Sequence, residues 1–454
     1  MRRVASVRGF LRVIGAIYAI AFVSFGVQAA GLVGSHGISP VAQYLQAARE
    51  VVGARAYWVV PTVLWAAPND WGLTAVWVTG ALFGLVALGG WKQRAALAAC
   101  WVLWLSVCSA GQEFLSFQWD MLLLEAGFLA IFADRSPVRV WLFRFLIFRL
   151  MFSSGVVKLA SGDPAWRGLT AMSFHYETQP LPTPLAWWMQ QLPAALEKVS
   201  TVAVFAMELA VPFLFFAPGR WRAIGAWVTV GFQVLILLTG NYAYFNWLTI
   251  ALCLWLLIEP DCEAERGRVH HAVSVGLAAT VGLLGAMTLA EVVGIPLPEV
   301  GLRVMRLAGP LRTVNSYGLF AVMTTTRPEV VVEGSNDGEN WLAYEFRYKP
   351  GDLRRAPPIV APHQPRLDWQ MWFAALGRIE ENRWFGSFVE KLLRGEPAVM
   401  GLLARNPFRG SPPRYVRARL YLYHFTRIGE VGWWRREEQG VYLPPVGLAG
   451  VSLR

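Results

Sequence analysis

The sequence predicts a polytopic α-helical membrane protein of about nine transmembrane helices, followed by an extracytoplasmic α+β domain with a β-sandwich-like core. Three observations carry this. Of 454 residues, 55% are hydrophobic and only 16% charged, against about 25% charge in an ordinary soluble chain. Charges are sparse up to about residue 295 and ordinary beyond it. That shift divides the chain into a transmembrane unit, 1–295, and a unit over 296–454 long enough to bury a core of its own. Within the second unit, runs of alternating apolar and polar residues replace the continuous apolar runs of the first.

The N-terminus opens on Arg2, Arg3, Arg8 and Arg12, followed by an apolar run over 13–33. The core of a cleaved signal peptide spans only about 7–15 residues, so this run reads as a retained first helix. Further apolar runs over 71–89, 95–110, 114–133, 139–160, 199–217, 223–239, 245–258 and 271–294 complete the nine. The Trp-rich stretch 57–65 reads as interfacial or re-entrant.

Alternate loops carry Lys92/Arg94, Arg135/Arg139, Arg220/Arg222 and Arg266/Arg268, on the same side as the four N-terminal arginines. The opposite loops hold only Arg49, Arg55, Arg167 and Lys198. The basic side faces the cytoplasm, and nine crossings then place the tail outside it. The net charge of +11 is explained by these loops and a basic tail, so no nucleic-acid partner is called for; membrane lipids are the expected partner. The four cysteines, Cys100, Cys108, Cys253 and Cys262, all precede the tail, which therefore folds without disulfides. No metal-ligand spacing, phosphate loop or nucleophile elbow is present, and no cofactor is implied.

In the tail, 329–334 and 341–348 read as strands around a Ser-Asn-Asp-Gly turn at 335–338, a hairpin signal. The run 414–425 reads as a further strand with Tyr415, Tyr421 and Tyr423 on one face. The intervening segments 367–378 and 384–394 have helical spacing.

Ionisable groups inside hydrocarbon are costly and tend to pair or to mark function. Here they are Glu113, Asp120, Glu125, Arg144, Arg149, Lys158 and Glu208. With a helical rise of ~1.5 Å per residue, Glu125 and Arg149 lie at equal depth on antiparallel helices and should pair. Asp120, Glu125, Lys158 and Glu208 would line a cavity opening outward, in which Lys158, held in apolar surroundings, acts as a base beside Asp120 or Glu125. The competing reading is that these pairs only fix helix packing. Arg167, His175 and Glu177, on the loop after Lys158, are candidate binding residues, as are His363, Arg366, Asp368 and Trp369 in the tail; ordinary loop hydrogen bonding is the plainer alternative. Asp368 also reads as the cap of the helix that begins there.

The strings FLSFQWDMLLLEAGFLAIF (114–132), FRLMFSSGVVKLASGDPAWRGLTAMSFHYETQPLPTPLAWW (148–188), GNYAYFNWLTI (240–250), YGLFAVMTTTRPEVVVEGSNDGENW (317–341) and APHQPRLDWQMWFAALG (361–377) resemble the lipase maturation factor family. The resemblance implies a multi-pass protein with its tail in the lumen. Vertebrate members reside in the endoplasmic reticulum and serve the folding and assembly of lipases. The short, Ala-, Val-, Arg- and Trp-rich chain looks like a bacterial homologue, which would place it in the inner membrane. More locally, SSGVVKLASGDPAWRGLTAM (153–172) is similar to the segment around the active lysine of vitamin K-dependent gamma-carboxylase and its horizontally transferred transmembrane relatives, and Lys158 would match the base.

Two functions follow as expectations. One is a membrane-anchored, chaperone-like maturation factor whose tail holds a secreted lipase client through an apolar surface including Trp369, Trp372 and Phe373, although each of these taken singly reads more plainly as core. The other is an integral-membrane enzyme using Lys158 on a lipid-soluble or periplasmic substrate. The first is preferred.

Overall fold

The computed structural model describes residues 6–265, 267–408 and 410–450. Arg2, Arg3 and Arg266 of the expected basic rim lie outside them. Nine apolar helical segments occur among the described residues: α1 Val7–Val33, α2 Asp70–Gly89, α3 Gln93–Ala110, α4 Gln118–Ile131, α5 Pro137–Ala160, α6 Ala194–Phe216, α7 Gly219–Thr239, α8 Phe245–Leu257 and α9 Arg268–Val292. All but α4 and α8 are long and apolar enough to cross a membrane alone.

The two short helices are the buried ones. At ~1.5 Å per residue, the 14 residues of α4 reach about 21 Å, short of a ~30 Å hydrocarbon core. The expected helix over 114–133 starts only at Gln118 because the preceding turn, Gln112–Leu115, takes part in polar contacts with the tail. Irregular backbone at membrane depth is tolerated where protein covers it. Trp119, Leu122, Leu123 and Leu124 on α4 and Leu248, Leu252 and Trp255 on α8 are all buried.

Helix α1 runs through the bundle and packs closely on α2. A Cβ on Gly15 would stand 2.7 Å from the Gly84 carbonyl oxygen, and one on Gly84 would stand 2.7 Å from the Ala19 nitrogen. These glycines let the two backbones approach, as small residues do between membrane helices. Segment 57–65 does not cross; Tyr57, Trp58 and Val59 are exposed on a short helical turn, Ala56–Val59.

The basic loops gather at one end of the bundle. Arg94 donates to the Ala133 carbonyl at 2.7 Å, the Asp261 amide donates to the Arg135 carbonyl at 2.7 Å, and Arg222 pairs with Glu259. The tail sits at the other end.

Beyond the amphipathic α10, Glu299–Ala308, and a strap over 313–323, the tail holds β1 Arg327–Ser335, β2 Leu342–Ala343, β3 Glu345–Phe346, α11 Arg366–Leu376, α12 Arg383–Arg394, β4 Leu403–Arg405, β5 Tyr415–Phe425 and β6 Trp434–Val446. Its main sheet is antiparallel in the order β2-β1-β5-β6, with β3 and β4 forming a separate two-stranded pair. Helix α11 packs on β1 and α12 on β5, so helices supply most of the layer facing the sheet. The predicted hairpin is present: β1 pairs with β2 across a turn in which the Ser335 hydroxyl and the Asp337 carboxylate accept backbone amides.

Two strand readings change. Tyr415 and Tyr423 do not share an environment, since Tyr415 is exposed and Tyr423 fully buried. Strand β5 keeps its faces, since it pairs with β1 without a break in register; Tyr423 is buried because its end of the strand packs with Met172, Tyr176 and Trp187 of the bundle's outer loop. Strand β6 was absent from the sequence reading, because WRREEQ has no alternation. It is an edge strand whose exposed Arg435, Glu437 and Glu438 guard against edge-to-edge pairing.

Candidate functional site at the junction of bundle and tail

Of the intramembrane carboxylates the sequence singled out, Asp120, Glu125 and Glu208 each meet a counter-charge and Glu113 accepts from the Ser39 hydroxyl at 2.7 Å; the tail or the strap completes the arrangement. Asp120, at the first turn of α4, and Arg366, opening α11, are both fully buried. Arg366 Nη1 lies 2.8 Å from Asp120 Oδ2 and Nη2 lies 2.9 Å from Oδ1. The Tyr244 hydroxyl also donates to Asp120, and Arg366 donates to the Phe114 carbonyl at 2.6 Å. A planar guanidinium matches a carboxylate in this two-point manner, which a lysine cannot do.

Five residues on, Glu125 pairs with Arg149 of α5, as depth matching predicts. The strap then closes over the pair: the Asn315 amide donates to Glu125 at 2.9 Å, the Tyr317 hydroxyl at 2.7 Å, and the Asn315 carbonyl accepts from Arg149 at 3.0 Å.

Lys158 pairs with Glu208, not with Asp120 or Glu125. Its ammonium donates to Glu208 Oε1, the Ser154 carbonyl and the Leu319 carbonyl, each at 3.0 Å. All three N–H groups are engaged and a carboxylate is adjacent. The unpaired lysine in apolar surroundings that a general base would need is therefore not what the fold builds. The shared cavity of four charges is likewise corrected. Lys158 and Glu208 line one cavity, of about 270 Å³, together with Trp166, His175, Tyr242 and Asn246, whereas Asp120 and Glu125 are sealed in their own pairs.

The loop after Lys158 is a docking surface for the tail. Glu177 accepts from the Phe425 amide at 2.7 Å and meets His424 Nδ1 at 3.1 Å. Arg327 of β1 donates to the carbonyls of Glu177, Gln179 and Pro180, and pairs with Glu329, which also holds Lys349 at 2.9 Å. Asn241, before α8, donates to the Pro358 carbonyl and accepts the amides of Val360 and Ala361. Sequence reasoning missed Arg327, Glu329 and Asn241. The signal for the first two was there: charges at i and i+2 of a Val-rich strand fall on one face.

The other candidates are structural. Arg167 ends a short helix, Pro164–Arg167, and is exposed. His363 Nδ1 lies 2.9 Å from the Ser24 hydroxyl of α1. Asp368 does not cap its helix, which begins at Arg366. It reaches back to accept the amides of Tyr348 and Lys349 at 2.8 Å each, and burial raises its carboxyl. Trp369 is buried against Trp119, ring centroids 4.7 Å apart, and Trp372 is buried with its indole N–H on the Thr178 carbonyl; only Phe373 is exposed. Trp369 and Trp372 therefore join the tail to the bundle and offer no surface to a client.

A model of the lipase maturation factor transmembrane domain matches residues 6–264, and one of the lipase maturation factor C-terminal domain matches residues 313–444. The chain is 37% identical to lipase maturation factor 2 of Homo sapiens, over 98% of this chain and 83% of that one. It is 36% identical to lipase maturation factor 1 of Bos taurus, over 96% and 88%. The chain belongs to the lipase maturation factor family. No solved structure matches it. Neither match covers 265–312, which holds α9 and α10, and the strap that closes Glu125–Arg149 and Lys158–Glu208 falls within the second match.

Two histidines tie the junction to pH. Burial, and then the charges of Arg366 and Arg347, push His363 down to about 4; burial, and then Lys158, do the same to His175. Both are neutral in the folded chain and take up protons on unfolding below an ordinary pKa of ~6.5. Stability is thus full above about pH 6.5 and falls as pH drops toward 4. Melting temperature in detergent should decline over that window, and His363→Gln should flatten the decline.

Proposed function

We propose that this chain is a membrane-embedded maturation factor that acts on exported lipases, holding its tail rigidly at the non-cytoplasmic surface of the bilayer. Supporting the reading is the match of both units to the family, joined to a tail fastened to the bundle by buried ion pairs at the end opposite the basic loops. Such fastening sets a client-facing surface at a fixed height over the membrane, where an exported chain emerges. In a bacterium the membrane is the inner one and the tail is periplasmic; the eukaryotic counterpart is the endoplasmic reticulum.

Deleting 296–454 should abolish secretion of active lipase from a host that depends on this chain, with lipase polypeptide still made but inactive. Unchanged lipase activity would overturn the maturation role. The orientation has its own test. Asn340 is exposed in the tail and the native Cys262 is exposed at the basic end. An impermeant maleimide added outside intact cells should label Asn340→Cys and spare Cys262; the reverse pattern would invert the topology.

A further inference from the structure

We infer that the cavity between α5, α6, α7 and the strap is a binding site for a neutral, hydroxyl-bearing lipid, of which a monoacylglycerol is the simplest form.

The polar groups around the cavity decide the headgroup. Lys158 and Glu208 cancel in charge, so no net charge awaits an ionic head. Several of the donors are already engaged: Lys158 by three oxygens, the Trp166 indole by the Phe320 carbonyl, the Tyr242 hydroxyl by Gln179, and the Asn246 amide by Gln233. The Ser154 and Ser200 hydroxyls donate to their own helices. What stays open is one acceptor. Asn246 Oδ1 is buried with no partner, whereas both oxygens of Glu208 are met by the Lys158 ammonium, Oε2 at 2.9 Å. A buried acceptor without a donor is costly. A ligand meeting it must bring an O–H group, and a phosphate or carboxylate head would instead set oxygen against oxygen.

The remaining lining decides the tail. Met151, Met172, Met189, Phe232 and Ile236 supply adaptable apolar walls. Leu185 and Leu235 line the same cavity yet are exposed on the flank of the bundle, which gives a lateral mouth at the depth of acyl chains. A dry cavity of about 150 Å³ takes a benzene ring, so 270 Å³ suits a small head with the first part of a chain, the rest passing out into lipid. Glu208 also sits in a single π-helical turn, Ala206–Ala210, a local widening that recurs where helices carry function.

The test uses the full-length chain in detergent with a monoacylglycerol bearing a photoreactive diazirine in its acyl chain. Crosslinks should map to peptides around Met189 and Leu235. Unlabelled monoacylglycerol should compete at least tenfold better than the lysophosphatidic acid or fatty acid of the same chain length. Ala203→Trp, at the exposed mouth and clear of the ion pair, should cut labelling about tenfold with the melting temperature unchanged; Asn246→Leu should do so by loss of the acceptor. Labelling indifferent to Ala203→Trp, or equal competition by the anionic lipids, would overturn the proposal. Lipase secretion is not the readout, so the outcome is separate from that of the maturation role.

Discussion

Replacing Arg366 with methionine is expected to destabilise the folded chain by about 3–5 kcal/mol, the range found when one partner of a buried ion pair is removed. Asp120 would be left at 0% exposure with only the Tyr244 hydroxyl donating to it from a side chain, and the Phe114 carbonyl would lose its guanidinium donor. The loss should appear first at the junction, because Arg366 is the point where α11 enters the bundle. Two measurements check this: a lower melting temperature in detergent, and faster protease cleavage between the bundle and the tail, near 309–313. The double variant Asp120→Asn/Arg366→Met should recover part of the loss, since it removes the orphaned charge. A melting temperature for Arg366→Met equal to that of the parent would mean the pair does not hold the tail.

Glu329→Ala should have a loss of similar size, about 3–5 kcal/mol, centred on the tail. Glu329 neutralises two cations, Arg327 and Lys349, each at 2.9 Å, and neither has water to turn to. Carbonyls of Glu177, Gln179 and Pro180 would still hold Arg327, but dipoles do not replace a full charge in that setting. Hydrogen exchange along β1 and β5, which are paired over residues 327–335, should speed up. The exposed pair Arg419–Glu438 on the same sheet provides the contrast: Glu438→Ala should cost less than ~1 kcal/mol, because solvent screens it. Equal effects for the two variants would show that burial is not what gives the Glu329 cluster its weight.

Much of the architecture was legible because membrane crossing leaves a strong one-dimensional trace. Each helix α1 to α9 overlaps an apolar run, and the basic loops fall at one end as their alternation required. The Glu125–Arg149 pair was readable too, since both residues sit on regular helices whose rise fixes depth. Lys158 and Asp120 were assigned the wrong partners for a physical reason. Their partners come from elsewhere: Glu208 from a π turn that no periodicity announces, and Arg366 from a tail 246 residues away in sequence. Trp369 and Trp372 looked like client-binding aromatics because a sequence does not say which face of a helix another domain will cover. Phe373, directly after Trp372, is the one left exposed.

By itself, the sequence determined the membrane class, the basic end and the places where charge enters hydrocarbon. These depend on composition and spacing along one chain direction, where hydrophobic transfer is a local and additive cost. Only the tertiary structure decided which charges meet, which acceptor stays open in the cavity beside Lys158 and Glu208, and which aromatics are covered. Those depend on contacts between segments distant in sequence, and a buried charge or acceptor has no fixed energy until its neighbours are known.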